Sequence, residues 1–92
     1  MYEVFEVDEA ARLSPAEACR TSTDSTKVLI YVDHDSKTIF LWRGERAPLA
    51  TKLMGTRVAS TLSHKYPSYR IRPISEGKEP AAFKDLLGIK RI

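Results

Sequence analysis

The chain has 92 residues, a single cysteine and a formal net charge of +3. That length supports one hydrophobic core without staples. Lone Cys19 excludes an internal disulfide and suits a reducing compartment, and no apolar run approaches the ~20 residues of a membrane-spanning helix. Met1-Tyr2-Glu3-Val4 has neither the basic nor the apolar region of a signal peptide, so the expectation is a soluble, cytoplasmic protein with one domain over 1–92.

The charge is unevenly spread. Residues 1–36 carry eight acids and three bases, whereas residues 43–72 carry seven bases and only Glu45 as an acid. A basic half of this kind steers toward an acidic protein surface or nucleic acid, or forms a solvated face.

Tyr2-Glu3-Val4-Phe5-Glu6-Val7 alternates and reads as a half-exposed edge strand. Tyr2, Val4 and Val7 are placed on one side, and Glu3, Phe5 and Asp8 on the other. Ser14-Pro15-Ala16-Glu17 has the form of a helix start, with a capping serine, proline at the first helical position and a glutamate reaching back. Arg20 to Thr26 is polar and aperiodic, so it reads as loop.

Val28 to Val32 and Ile39 to Trp42 are apolar on both faces. Such strands are buried on both sides. The four-residue connection His34-Asp35-Ser36-Lys37 makes them an antiparallel hairpin, which stops at Arg43-Gly44.

From Pro48 to about Lys65 the pattern is helical, about 27 Å long at the standard rise. Thr51, Met54, Gly55, Val58 and Leu62 share one face, bordered by Ala59. Leu49, Leu53, Thr56, Arg57, Ser60 and His64 fall on the other, where two leucines one turn apart stand out against polar neighbours. They either meet a partner or pack under a loop.

After the break at Tyr66-Pro67-Ser68, Tyr69 to Ile74 alternates, and Pro73 pushes it toward an edge or a strand end. Ser75 to Glu79 is a turn. Pro80 to Leu87 is a short helix with Phe83, Leu86 and Leu87 on its apolar face and Gly88 as its stop, followed by a tail over 89–92. The sum is an α+β domain: a mixed sheet of four to five strands between one long and one short helix.

Taken in order, Ile30-Tyr31-Val32-Asp33, then Ile39-Phe40-Leu41-Trp42-Arg43-Gly44 and a long helix resemble the centre of a gelsolin/villin-type repeat. Tyr66-Pro67 through Glu76-Gly77-Lys78-Glu79-Pro80, with Phe83 and Leu86-Leu87-Gly88, resemble its ending. The resemblance implies a gelsolin-like sheet between two helices. It also implies binding of actin or an actin-like protein, as monomers or at filament ends, with modulation of assembly. The implied contact is the exposed side of the long helix: Leu49, Lys52, Leu53, Thr56, Arg57 and Ser60. An exposed leucine pair is independently suited to helix-in-groove recognition.

Many family repeats hold calcium between an Asp before the first hairpin strand and a Glu early in the long helix. Matching on Asp33 puts Val28 at the first position, and matching on Trp42-x-Gly44 puts Thr51 at the second. Calcium takes six to eight oxygens, normally with several carboxylates, so the expectation is no metal and no cofactor unless Asp24 loops in. A lone repeat offers one surface, which suits monomer binding or end capping better than severing.

Other chemistries fit less well. Asp33-His34-Asp35 in a turn, with His64 distant in sequence, lacks a fourth metal ligand. Nothing flanks Cys19 to activate it, Glu76 and Glu79 are explained by a turn and a helix cap, and the scattered glycines make no phosphate loop. An enzyme is therefore not expected. Lys65-Tyr66 and Tyr69-Arg70-Ile71-Arg72 interleave aromatics with bases, which keeps a basic nucleic-acid-binding domain as a minor alternative. A gelsolin-fold interaction or structural module without actin binding, self-association included, is the main alternative. No membrane partner is expected.

Overall fold

In the computed structural model, which describes residues 1–88, five strands form one sheet in the order β2-β1-β3-β4-β5. They are β1 (Tyr2–Val7), β2 (Leu13–Pro15), β3 (Val28–Asp33), β4 (Thr38–Arg43) and β5 (Arg70–Ser75). The helices are α1 (Leu49–Lys65) and α2 (Ala81–Leu87), with one short 3-10 turn at Glu17–Cys19. The tail expected over 89–92 lies outside the described residues.

The centre follows from the sequence pattern. β3 and β4 pair antiparallel from Val28 opposite Arg43 to Asp33 opposite Thr38, and every residue of both except Arg43 is buried. Leu29, Tyr31, Phe40 and Trp42 point to one side, under Phe83 and Leu87 of α2. Val28, Ile30, Val32, Ile39 and Leu41 point to the other, under Val58 and Ala59 of α1. Two covered faces explain why neither strand alternates.

Gly55 lets α1 lie close on this sheet. A Cβ there would stand 2.7 Å from Val28 Cγ1 and 3.1 Å from Leu41 Cδ1. Gly44 is more constrained, since its Cβ would come within 2.2 Å of the Ser25 carbonyl oxygen. The hairpin turn closes with Lys37 at a φ of 54°, while the Asp33 carboxylate accepts from Ser36 Oγ at 2.6 Å and from the Asp35 N–H at 3.2 Å.

The N-terminal third departs from the sequence reading. β1 is not an edge strand: it pairs with all of β3 on one side and with β2 on the other. Its strict alternation puts Tyr2 and Val4 on the α2 side and Phe5 and Val7 on the α1 side, so Val7 does not share a face with Val4. The helix expected at Ser14-Pro15 does not form. Leu13–Pro15 is an outer strand, where a proline without an N–H is tolerated. Glu17 does not cap; it binds the Arg20 guanidinium through two bonds of 2.8 and 3.0 Å.

β5 runs parallel to β4, with α1 as the crossover, and forms the other edge of the sheet. The Arg70 N–H donates to the Lys37 carbonyl and that of Glu76 to Arg43, so the alternate residues between them face outward. Pro73 is one of these. Its missing N–H costs no ladder bond and interrupts the open edge, which discourages pairing with another strand.

Candidate functional site

α1 positions the expected site residues. It starts after Pro48, whose φ of −59° suits a helix entry, and it ends at Tyr66 with basic His64 and Lys65 in its last turn. Thr51, Gly55, Val58 and Ala59 face the sheet, with Met54 and Leu62 packed at the margin of the core. The opposite side is open. Leu49 is 72% exposed and Leu53 59%, and apart from Met1 they are the exposed large hydrophobic residues among those described. No loop covers them, so the packed-under-a-loop reading fails.

Thr56, Arg57 and Ser60 are exposed beside the leucines and continue the same side of the helix. Lys52 is set apart. It is half-buried, and its ammonium donates to the Glu45 carbonyl at 3.3 Å, next to a polar cavity shared with Arg43, Ser75 and Glu76. The structure thus brings five of the six expected residues onto one stripe, with the sixth at its flank.

A second feature was not signalled by the sequence. Ala11 and Leu13, from the β1–β2 hairpin, approach α1 and enclose a cleft of about 250 Å³ with Arg57, Val58, Thr61 and Leu62. The hairpin turn is fixed by Asp8, whose carboxylate accepts N–H bonds from Ala10 and Arg12, both at 2.9 Å. The Arg12 N–H, together with that of Ala10 and the Arg12 guanidinium, holds the Asp8 carboxyl below its ordinary range despite some desolvation. Ala11 adopts a φ of 62° in this turn. No local spacing marks these residues, because the approach of a hairpin to a distant helix is a tertiary outcome.

The positions matched to the family's calcium ligands are core positions. Val28 is fully buried against Gly55, and Thr51 is buried on the sheet-facing side of α1. Asp24 is engaged locally, accepting from Thr26 Oγ1 at 2.6 Å and the Thr26 N–H at 2.9 Å. Among the described residues no group of three or more His, Cys, Asp or Glu is arranged to hold a metal ion.

The remaining chemical candidates serve the fold. Cys19 is buried, and burial pushes its thiol up, away from a reactive thiolate. Glu76 accepts from Ser25 Oγ and from the Glu45 N–H, and Glu79 accepts from Trp42 Nε1 and the Gly77 N–H. His34 sits between Tyr69 Oη and Glu3 Oε2, each 2.7 Å from a ring nitrogen. Tyr66 and Tyr69 stack on each other at 4.8 Å and also meet the His34 ring, so the aromatics that suggested base stacking are turned to internal packing.

Comparison with known proteins agrees with this architecture. The family described as the gelsolin repeat matches residues 5–84. Among solved structures, the Thorarchaeota ProGel, crystallised in a complex with rabbit actin, is 61% identical with a TM-score of 0.88, covering 96% of this chain and all of that one. The Thorarchaeota 2DGel3, also from a rabbit actin complex, is 23% identical with a TM-score of 0.76 and shares the fold; the match covers 92% of this chain and 44% of that one. No curated protein matches. With β3, β4 and α1 at its centre and most of its length matched, the chain belongs to the gelsolin-repeat family.

Proposed function

We propose that this protein is an actin-binding domain that engages actin monomers or filament ends through the exposed side of α1 and so modulates assembly. The observation that carries the reading is the Leu49–Leu53 pair: two large apolar side chains, one helical turn apart, left in solvent on a helix whose other face packs on the sheet. An exposed apolar ridge rimmed by polar groups suits a groove on a partner. Support also comes from the 61% identical relative crystallised with rabbit actin. Arg57, with the basic half around it, favours encounter with an acidic protein. Leu49, Leu53, Thr56, Arg57 and Ser60 form the contact, with Lys52 at its flank.

Calcium is not needed for this binding. Val28 and Thr51 stand in the core where the resemblance puts carboxylates, and a hard cation cannot be held by such groups. The protein is a binding domain and not an enzyme, works as one domain and acts in the cytoplasm; no helix among the described residues is long and apolar enough to cross a membrane. A single binding surface suits sequestering or capping rather than severing.

The test is actin assembly followed by fluorescence, with increasing protein, in calcium and in chelator. Slowed or reduced assembly, equal in both, is expected. No effect in either would move the function to a protein-interaction module of the same fold.

A further inference from the structure

The cleft between the β1–β2 hairpin and α1 stands beside the exposed side of the helix, its apolar walls continuous with the core. Its walls are the apolar side chains of Ala11, Leu13, Val58 and Leu62, with Arg57 and Thr61 from the exposed side of α1. At about 250 Å³ it falls below the ~300–1,000 Å³ of small-molecule sites and is of the size that receives a single anchoring side chain. Thr61 Oγ1 donates to the Arg57 carbonyl at 3.1 Å, so its hydroxyl is spent within the helix. The guanidinium of Arg57 makes no ion pair among the described residues. The cleft therefore asks for an apolar group and, at its rim, a negative charge.

Its position decides the occupant. Leu49, Leu53, Arg57 and Thr61 follow one another at steps of four, the row that forms a continuous ridge on a helix. A partner seated on the leucines thus reaches Arg57 and the cleft without leaving the same side of α1. We infer that the cleft receives one apolar side chain of actin that has a carboxylate beside it, the carboxylate pairing with Arg57. This rests on the reading of α1 as the actin-binding helix and adds a second anchor to it, contributed by the β1–β2 hairpin.

Thr61→Trp tests it. Thr61 is exposed, so the variant should fold, which circular dichroism checks, while the indole covers the cleft. Actin affinity is measured for wild type, Thr61→Trp and Leu53→Asp. The expectation is at least a tenfold loss for Thr61→Trp and abolished binding for Leu53→Asp. Arg57→Gln should weaken binding and flatten its salt dependence. If Leu53→Asp abolishes binding while folded Thr61→Trp matches wild type, the cleft is empty in the complex and this inference falls, with the α1 reading intact. If Leu53→Asp binds normally, or the wild type does not bind actin, the α1 reading falls and takes the cleft with it. Should Thr61→Trp not fold, Leu13→Ala, which widens the cleft, decides: an affinity within twofold of wild type overturns the inference, and a clear loss supports it.

Discussion

The indole N–H of Trp42 donates to Glu79 Oε2 across 2.9 Å, and this bond joins the centre of the sheet to the entrance of α2. Trp42 is fully buried, and the other Glu79 oxygen accepts the N–H of Gly77 at 3.0 Å, in the turn where Gly77 has a φ of 88°. One carboxylate thus satisfies a buried donor and shapes the turn that delivers Pro80 and α2. Glu79→Ala strands the indole N–H, which costs ~1–3 kcal/mol. Urea unfolding followed by tryptophan emission, blue-shifted in the folded state, should show the lower midpoint; an unchanged midpoint would refute the role given to this pair.

The same bond predicts a pH dependence. Desolvation raises the Glu79 pKa, but the Trp42 bond, with backbone N–H groups including that of Gly77, outweighs it and leaves the carboxyl below its ordinary value of 4.5. A depressed folded-state pKa stabilises above the ordinary value and is lost as pH falls through the lower one. Stability should therefore decline on acidification below 4.5. Asp8, Glu17 and Asp24 are lowered too, so the wild type alone does not isolate Glu79. Glu79→Gln keeps an acceptor but cannot titrate, and its unfolding midpoint should fall less steeply with acid than that of the wild type. Parallel curves would mean Glu79 contributes nothing to the slope.

Two glycines separate packing from helix propensity. Replacing Gly55 by alanine gains up to ~1 kcal/mol of helix propensity, yet its Cβ meets a branched Val28 methyl at 2.7 Å. Overpacking of this sort costs ~1–3 kcal/mol, so the net effect should be destabilising. Gly44→Ala should be worse, since its Cβ meets backbone of the 25–27 loop that no rotamer change can move. Urea midpoints in the order wild type, Gly55→Ala, Gly44→Ala are expected, and a Gly55→Ala variant more stable than wild type would show that α1 can lift off the sheet at little cost.

The sheet's centre was legible because β3 and β4 carry their burial in their own composition: Val28 to Val32 has no polar face to misplace. α1 was legible from its period, and Leu49 and Leu53 because they break it. The N-terminal third was not. Leu13-Ser14-Pro15 has the composition of a helix cap, and only pairing with Phe5, Glu6 and Val7 makes it a strand. That pairing also turns β1 from an edge into an interior strand and brings Ala11 and Leu13 to α1, so one unread tertiary contact hid both the topology and the cleft.

Calcium should make no difference. In a calorimetric titration the protein alone should give no heat attributable to a site of micromolar affinity, because Val28 and Thr51 occupy the core with no carboxylate between them. A saturable heat at that affinity would overturn this and point to a ligand set built on Asp24 or on other carboxylates of the N-terminal half.

The leucine pair should behave as an interface and not as a core. Leu49 and Leu53 are mostly in solvent, and exposed substitutions usually shift stability by within about 0.5 kcal/mol. Leu49→Ala and Leu53→Ala should therefore leave the urea midpoint near that of the wild type. In actin binding the same changes should be costly, since truncating an anchoring side chain at an interface costs more than ~1 kcal/mol, about fivefold or greater in Kd. Leu53 lies between Leu49 and Arg57 along the ridge, so its truncation should cost more than that of Leu49. A combined Leu49→Ala, Leu53→Ala variant that remains folded and still slows actin assembly like the wild type would place the actin contact elsewhere on the molecule.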